Sequence, residues 1–413
     1  MKILWCTHSL AGFKPEAGGY NGCGWITSLL DQLVNVDGIE IGVAFFYGED
    51  AESLVKDKIT YYPIKQRKVS VLGKIKTFFG NYSAWEEEET YHLDRLQEIV
   101  EQFKPDVIHV WGTETDMGLI TDKVEVPVIV HLQGLLNPYF NALLPPGINR
   151  NDFLLKDGLN PLKILKNLNS LNYWGYKKSR EVRILNVCKK YFGRTHWDKA
   201  VSRLYSPARE YYYCSEILRD IFYHGEWSRC TSKIKILSTI SSPLYKGADL
   251  VLKTALLLKE YVNIDFEWNL VGVSNVKLQE KITHIKACEV NVFCRGVKTP
   301  EELYQLARQS SVYFHPSYID NSPNSVCEAQ IIGLPVIAVN VGGVSTLIED
   351  RKTGILTPPN EPHMAAMNIV NLLDDKHLMM SLSSNSKKEA YKRHNPKDIM
   401  SSLLSLYYQF EKK

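Results

Sequence analysis

Two acidic side chains, Asp320 and Glu328, lie in a stretch whose pattern predicts a strand, a loop and a helix. Val312 to His315 is a short apolar run closed by Pro316, which is typical of a buried strand in a parallel sheet. The Asn, Ser and Pro residues that follow favour the start of a helix. Ligands of open α/β sheets bind at the carboxyl ends of the strands, so we expect both acids at the mouth of a binding site.

The residue types indicate which ligand such a site could hold. A helix N-terminus attracts anionic or hydroxyl-rich groups through its free amides. Glu328 can accept two charge-assisted hydrogen bonds from a vicinal diol such as a ribose. The alternative is that Asp320 is a turn residue and Glu328 a solvated helix acid, and the loop alone leaves both interpretations open.

The pattern Asp320-x-x-Pro323-x-x-x-x-Glu328, followed by Gly-Leu-Pro-Val-Ile and Val-Gly-Gly, resembles the two-acid signature of the family 4 (group 1) glycosyltransferases. The resemblance implies an α/β protein of the GT-B type, with two Rossmann-like, doubly wound domains facing a cleft. It also implies that Glu328 holds the nucleotide ribose. The family usually has Glu where this chain has Asp320, whose shorter side chain would contact the donor sugar.

On this resemblance we divide the chain into three parts. Residues 1–208 are predicted to form the acceptor-side domain, and residues 209–395 the domain that binds the nucleotide-sugar donor. Residues 396–413 are predicted to form a helix that returns to the first domain. The apolar face of this helix, with Ile399, Leu403, Leu406 and Phe410, has the spacing of an amphipathic helix.

The diphosphate of the donor needs positively charged partners, and the resemblance indicates Lys246 as one of them. In the family a Gly-Arg pair and then a Lys-Gly pair follow the first strand of the second domain. Lys246-Gly247 matches, but Ser241 or Ser242 stands in place of the arginine. We expect Arg194 or Arg295 to replace the missing cation.

Further donor contacts are implied by position in the family pattern. Glycines between a strand and a helix let backbone amides approach a phosphate, and Gly18-Gly19 occupies that place near the start of the chain; a merely flexible turn is the alternative. The backbone at Gly296 would flank the nucleobase. The amides of Asn324 and Ser325 would hold sugar hydroxyls together with the carboxylate of Asp320.

On the acceptor side, a predicted strand from Val126 to Leu132 ends in Gln133-Gly134. The family commonly has a histidine at the position of Gln133, so this residue would contact the sugar as a polar group and could not act as a base. His109 and His131 lie in apolar runs and are predicted to be core or lining residues.

The segment from Gly193 to Asp198 resembles one that ends the first domain of some bacterial members. There Arg194 would face the cleft that holds the donor; an ion pair with Asp198 is the alternative.

Composition narrows the function classes. The chain has 413 residues, 45% of them apolar, and a formal net charge of +3, which fits two or three globular domains and does not indicate nucleic-acid binding. Eight scattered cysteines without metal-binding spacing predict reduced thiols and a cytoplasmic protein. The basic segment 65–76 could touch an anionic membrane peripherally, or it could be a solvated loop and helix face.

These observations predict a retaining, metal-independent glycosyltransferase with no cofactor. It would transfer a sugar from a UDP- or GDP-linked donor to a hydroxyl of a glycan or lipid-linked saccharide, with Lys246, Asp320 and Glu328 as its central residues. The Asp-x-Asp metal motif of the other glycosyltransferase fold is absent from the sequence. The alternative function is a catalytically degenerate nucleotide-sugar-binding or partner subunit, which the missing arginine favours. A Rossmann-type oxidoreductase is disfavoured because the early glycines lack the Gly-x-Gly-x-x-Gly spacing.

Overall fold

The computed structural model describes residues 1–13, 24–67, 70–228, 233–241 and 244–411. Within these ranges the strands form two sheets, one in each half of the chain. The strands of the first sheet are β1 (Lys2–Thr7), β2 (Glu40–Tyr47), β3 (Leu54–Lys56), β4 (Ile59–Lys65), β5 (Val107–Trp111), β6 (Val128–His131), β7 (Lys190–Gly193) and β8 (Glu210–Tyr213). They lie in the order β3-β4-β2-β1-β5-β6-β7-β8, and all neighbouring pairs are parallel except β3 with β4.

The second sheet contains β9 (Ile234–Thr239), β10 (Phe266–Val271), β11 (Val292–Gly296), β12 (Val312–His315), β13 (Val336–Val339) and β14 (Ile355–Thr357). Their order is β11-β10-β9-β12-β13-β14, and every pair is parallel. The order reverses between β9 and β12, and this reversal is where doubly wound sheets bind ligands. The predicted doubly wound α/β architecture is confirmed.

Helices connect the strands of both halves. Those between β1 and β9 are α1 (Gly24–Leu33), α2 (Val71–Phe78), α3 (Ser83–Phe103), α4 (Leu136–Asn141), α5 (Arg150–Leu154), α6 (Pro161–Val187), α7 (His196–Tyr205) and α8 (Asp220–Tyr223). Those after β9 are α9 (Ala248–Leu257), α10 (Lys277–Thr283), α11 (Pro300–Arg308), α12 (Asn324–Ile331), α13 (Val344–Leu347), α14 (Pro362–Asp374), α15 (Lys376–Arg393) and α16 (Pro396–Glu411). No helix in the described ranges is both long and apolar enough to span a bilayer.

The last helix, α16, packs against the first sheet. Its buried residues include Leu403, Tyr407 and Phe410, which belong to the same core cluster as residues of β1 and β2. The Tyr407 hydroxyl accepts a hydrogen bond from Nε1 of Trp5 at 3.2 Å and contacts Nδ1 of His109. The predicted boundary between residues 208 and 209 stays a prediction; β8 begins at Glu210 and pairs with β7.

The two histidines of the apolar strands are buried in the first sheet. Nε2 of His109 lies 3.3 Å from Nδ1 of His131. Burial lowers the pKa of His109 to about 3 and that of His131 well below its usual value. Both are therefore neutral core residues at physiological pH, as their apolar surroundings in the sequence indicate.

Candidate active site

The β12–α12 unit carries both acids. The strand is buried along its whole length, and Pro323 caps the helix without a side-chain hydrogen bond. From Val326 to Ile331 every residue of α12 is buried, so the helix is fixed by packing and not by polar capping. Neither acid is solvated, since Asp320 is 6% and Glu328 4% exposed.

A cleft opens at the carboxyl ends of β9, β10 and β12, where the strand order reverses. It encloses about 1000 Å³, counting its open mouth. We call it the switch-point cleft. Its lining includes Gly24, Leu218, Arg219, Thr239, Ile240, Ser241, Lys246, Val271, Gly272, Val297, Lys298, Leu303, His315, Asp320, Pro323, Asn324, Ser325 and Glu328.

Asp320 is held by groups from three elements. Its Oδ2 atom lies 2.6 Å from Nζ of Lys246 and 3.3 Å from Nε2 of His315. Its Oδ1 atom accepts from the hydroxyl of Tyr139 at 3.4 Å. Burial would raise the pKa of Asp320, but Lys246 and His315 outweigh burial and hold it well below the usual value. The carboxylate is therefore ionised and faces a cation across the cleft wall.

Lys246 reaches Asp320 because the backbone beside it passes unusually close to β12. Gly247 has a φ of +77°, and a Cβ atom there would lie 2.1 Å from the carbonyl oxygen of Pro316. Any larger residue would force the two segments apart. The Lys-Gly pair thus combines a cation with the close approach that places it at Asp320.

Glu328 is paired with a cation that sequence reasoning did not identify. Arg219 donates from Nε and Nη2 to the two carboxylate oxygens at 2.6 and 2.5 Å. Burial raises the pKa of Glu328, and the guanidinium of Arg219 opposes that rise. Arg219 lies 109 residues before Glu328, just ahead of α8, and an isolated arginine after an Ile-Leu pair carries no recognisable motif.

The expected replacements for the missing arginine do not line the cleft within the described residues. The Arg295 side chain contacts Glu267 at 2.8 Å and Asn269 at 2.5 Å. The guanidinium of Arg194 is 5% exposed and forms an ion pair with Glu216. The cleft-lining arginine is Arg219, while Ser241 occupies the wall where the family pattern has arginine.

Arg194 and Gln133 belong to a network between the two halves. Arg194 Nη2 donates to the carbonyl and side-chain oxygens of Gln133 at 3.1 and 3.0 Å. Asn321 donates from Nδ2 to the Gln133 carbonyl at 3.2 Å and to Asp198 at 2.9 Å. Asp198, the alternative ion-pair partner considered for Arg194, accepts the backbone amides of Arg194 and Thr195. The Arg194 guanidinium forms its ion pair with Glu216.

The remaining predicted residues divide into three groups. Asn324 and Ser325 line the switch-point cleft at the first turn of α12. Gly296 ends β11, and the two residues after it line the cleft. Gly18 and Gly19 lie outside the described residues, although Gly24, which begins α1, lines the cleft.

The arrangement suits a ligand with anionic and hydroxyl groups. Two carboxylates offer acceptors to a polyol, two cations offer charge to an anion, and glycine-flanked strand ends admit a flat ring. In the part of the chain that the structure describes, no group of three His, Cys, Asp or Glu side chains could hold a metal ion. The lysines and arginines among the lining residues are Lys246, Arg219 and Lys298, and Lys298 also pairs with Glu302 at 2.9 Å.

Residues 225–389 match the family model described as glycosyl transferases group 1. A D-inositol 3-phosphate glycosyltransferase of Paenarthrobacter aurescens is 33% identical over 135 residues, which are 32% of this chain and 33% of that protein. The chain spans about a third of the length of that relative, and from 18% to 42% of the length of the first curated relatives it matches. The residues that match the family model include β9 to β14 and the lining of the switch-point cleft from Thr239 to Glu328. Gly24, Leu218 and Arg219 of that lining lie outside the match.

The fold of the whole chain is shared with solved structures. Sucrose-phosphate synthase from Thermosynechococcus elongatus superposes with a TM-score of 0.73 at 15% identity, covering 99% of this chain and 98% of that one. HepE of Anabaena, in complex with UDP and glucose, gives a TM-score of 0.66 at 16% identity, covering 99% of this chain and 100% of that one. At these identities the likeness shows the architecture that the two chains share.

Proposed function

Because the chain has the GT-B fold and residues 225–389 form a group 1 glycosyltransferase domain, we propose that it is a retaining, metal-independent glycosyltransferase. It transfers a sugar from a UDP- or GDP-linked donor to a hydroxyl of a glycan or lipid-linked saccharide. The observation that carries this proposal is the pairing of two buried acids with two cations at the strand-order reversal of the second sheet.

Each part of a nucleotide sugar has a counterpart in the cleft. Glu328 accepts the ribose hydroxyls while it keeps its contact with Arg219, since a carboxylate has about four acceptor positions. Lys246 binds the diphosphate. Arg219 supplies the second positive charge, in place of the arginine that the family pattern has near Ser241. Asp320 and the amides of Asn324 and Ser325 hold the hydroxyls of the transferred sugar.

The catalytic contribution then comes mostly from charge stabilisation of the departing diphosphate. A helix N-terminus supplies at most ~2 kcal/mol, whereas an acceleration of about 10⁶ requires about 8 kcal/mol. Lys246 and Arg219, fixed in place before the donor arrives, supply preorganised charge. In a retaining reaction on one face of the sugar, the departing phosphate oxygen takes the acceptor proton, so no side-chain base is needed.

A thermal-stability titration tests the donor class. UDP, GDP and their sugar conjugates are added to the full-length protein in the presence of EDTA. A nucleoside diphosphate at about a hundred times its dissociation constant should add ~2.7 kcal/mol of stability. Stabilisation by nucleotides of one base, uridine or guanosine, in the absence of metal supports the proposal. A response that appears only with added Mg²⁺ or Mn²⁺ contradicts metal independence. If no nucleotide stabilises the protein, the donor assignment is wrong.

A second candidate is a catalytically degenerate nucleotide-sugar-binding or partner subunit. It is favoured by Ser241 on the cleft wall and by the shorter Asp320, already engaged by Lys246. The paired substitutions Ser241→Arg and Asp320→Glu separate the two candidates. Transfer activity gained from an inactive parent supports degeneracy, whereas loss of activity from an active parent shows that the existing site is the working one.

A further inference from the structure

The residues from Gly193 to Asp198 connect β7 to α7 and lie against the second half of the chain. We call them the β7–α7 segment. The hydroxyl of Thr195 donates to Oδ1 of Asn321 across the two halves at 2.6 Å. Asn321 directly follows Asp320, the acid that holds sugar hydroxyls in the proposed function. The segment is therefore placed to act on that acid through its neighbour.

The side chain of Asn321 forms its hydrogen bonds with groups of the first half. Its Oδ1 atom accepts from Thr195, and its Nδ2 atom donates to Oδ2 of Asp198 at 2.9 Å and to the carbonyl of Gln133 at 3.2 Å. Asn321 is completely buried. A buried amide that loses its partners incurs the full cost of desolvation, so these three bonds fix where Asn321 lies.

The β7–α7 segment is itself held in one conformation. The buried carboxylate of Asp198 accepts the backbone amides of Arg194 and Thr195 at 3.0 and 3.3 Å, and the hydroxyl of Tyr211 at 2.5 Å. Tyr211 passes so close to Gly193 that a Cβ atom there would lie 2.4 Å from its hydroxyl oxygen. The groups that receive Asn321 are thus fixed by bonds within the first half.

A tyrosine of α4 carries this contact to the acid. The hydroxyl of Tyr139 accepts the backbone amide of Asn321 at 3.1 Å and donates to Oδ1 of Asp320 at 3.4 Å. The other carboxylate oxygen of Asp320 contacts Lys246. The first half therefore holds one oxygen of the carboxylate, and the second half holds the other.

The backbone at the two residues has little room to move. A Cβ atom on Gly342 would lie 1.9 Å from the carbonyl oxygen of Asp320, and one on Gly343 would lie 2.2 Å from that of Asn321 and 2.6 Å from Cγ2 of Thr195. The amide of Gly343 donates to the carbonyl of Asp320 at 2.9 Å. The Asp-Asn pair is thus enclosed between a glycine turn of the second half and Thr195 of the first.

We propose that Thr195 and Asn321 are positioning residues for the transferred sugar, because they set the orientation of the Asp320 carboxylate. The inference rests on the proposed glycosyltransferase function and deepens it. It gives the β7–α7 segment a part in recognising the sugar of the donor, and not its diphosphate. A fully satisfied buried polar network specifies one arrangement of its members, and here that arrangement includes the acid.

The other parts of the donor have different partners. In the proposed function Glu328 holds the ribose and Lys246 the diphosphate, whereas Asp320 holds hydroxyls of the sugar. Loss of the bond between Thr195 and Asn321 should therefore weaken binding of a nucleotide sugar. Binding of the nucleoside diphosphate alone should change little.

The test uses the full-length protein and titration calorimetry with UDP, GDP, UDP-glucose, UDP-galactose, UDP-N-acetylglucosamine and GDP-mannose. Thr195→Ala removes the hydroxyl, and the conservative variant Thr195→Ser keeps it. Thr195 also caps α7 in a capping box with Asp198. The matched control is Asn149→Ala, because Asn149 is an exposed residue that caps α5 in a capping box with Asp152.

In Thr195→Ala we expect the dissociation constant of the nucleotide sugar that the parent binds to rise about tenfold or more, the order for losing a hydrogen bond to a charged group. The dissociation constant of the matching nucleoside diphosphate should stay within about twofold. Thr195→Ser and Asn149→Ala should bind both ligands like the parent. The proposal is overturned if Thr195→Ala keeps the parent's affinity for the nucleotide sugar, if it loses affinity for both ligands equally, or if Thr195→Ser behaves like Thr195→Ala.

Asn321→Ser provides a second variant should Thr195→Ala not fold. It removes the bonds from Nδ2 to Asp198 and Gln133, and the same selective loss of nucleotide-sugar binding is expected. The two proposals can be told apart. If the parent binds both kinds of ligand and the variants match it, the positioning role is wrong and the proposed function stands. If the parent binds no nucleotide and no nucleotide sugar, both are wrong.

Discussion

The switch-point cleft and a smaller cavity lie at the carboxyl ends of two sheets with closely related strand orders, yet their polar groups are arranged differently. We call the smaller one the first-sheet cavity; its lining includes Trp85, His92, Glu114, Asp116, Tyr173 and Arg180. In the cleft, Lys246 and Arg219 are matched to Asp320 and Glu328 at salt-bridge distance. In the cavity, four buried polar atoms have no partner. Matched charges fix a site's shape before a ligand arrives, whereas unpaired atoms make the ligand part of the hydrogen-bond network.

The largest effect that this comparison predicts is on the turnover number, for the variant Lys246→Ala. The change removes a cation from the proposed diphosphate site and leaves Asp320 buried without its lysine partner. We expect the turnover number to fall ~10²- to 10³-fold, the range for losing one preorganised charge-stabilising group, with loss of nucleoside diphosphate binding. The test measures the turnover of the donor and, in a titration, the binding of the nucleoside diphosphate.

Lys387→Ala is the matched control, because Lys387 pairs with the exposed Glu226 at 3.1 Å. It should behave like the parent. Equal activity in the two lysine variants would show that Lys246 serves only the fold.

The next effect concerns stability. Glu328→Ala removes the carboxylate that pairs with the guanidinium of Arg219, which is 15% exposed in the parent. We expect the free energy of unfolding to fall by about 3 kcal/mol, at the low end for breaking a buried ion pair because Arg219 keeps some solvent contact.

Removing Arg219 as well should restore about 1 kcal/mol, since no buried charge then remains unpaired. Denaturant unfolding of the parent, both single variants and the double variant measures the coupling. Strictly additive losses would argue against an ion pair that shapes the cleft.

The pH dependence should be smaller and has a defined sign. Despite burial, Lys246 and His315 hold the folded-state pKa of Asp320 well below its ordinary value of about 4. Its stabilisation is therefore present above about pH 4 and is lost as the pH falls below that value toward the folded-state pKa. Glu328 has a raised pKa and acts in the opposite direction, favouring the folded state at low pH. The parent should lose on the order of 1 kcal/mol between pH 5 and 3 relative to Asp320→Asn; parallel stability curves for the two proteins would contradict the charge assignment.

The smallest effect belongs to the first-sheet cavity. Tyr173→Ala should lower the free energy of unfolding by only about 1 kcal/mol, because the partly exposed ring loses its contact with Trp85. Thermal denaturation of this variant and of the control Tyr408→Ala, whose tyrosine is 41% exposed, measures the change in stability. A loss of several kcal/mol would make Tyr173 a packing residue and weaken the contrast between the two sites.

Much of the fold could be predicted because hydrophobic runs are local. The apolar run Val312 to His315 is the strand β12, and the run Val126 to Leu132 contains β6, which spans Val128–His131. The amphipathic pattern near the end is α16. The end of β12 then indicated where Asp320 and Glu328 converge, whereas Lys246 was predicted from the family resemblance.

The partners of these residues could not be predicted, since they come from distant parts of the chain. Arg219 is 109 residues from Glu328, and Tyr139 is 181 residues from Asp320. No periodicity specifies which distant side chain faces a given strand end. Arg194 shows the same limit, because it was predicted to face the cleft, while in the structure its guanidinium pairs with Glu216.

The return of α16 to the first sheet has a consequence for synthesis of the protein. Tyr407 and Phe410 complete the core around β1 and β2, but about 200 residues separate them from the end of β8. At ~5–20 residues per second, the nascent first sheet waits about 10–40 s for its final layer. During that interval the side of β1 and β5 that α16 later covers is open to chaperones, and a ribosome that stalls before residue 396 would leave it exposed.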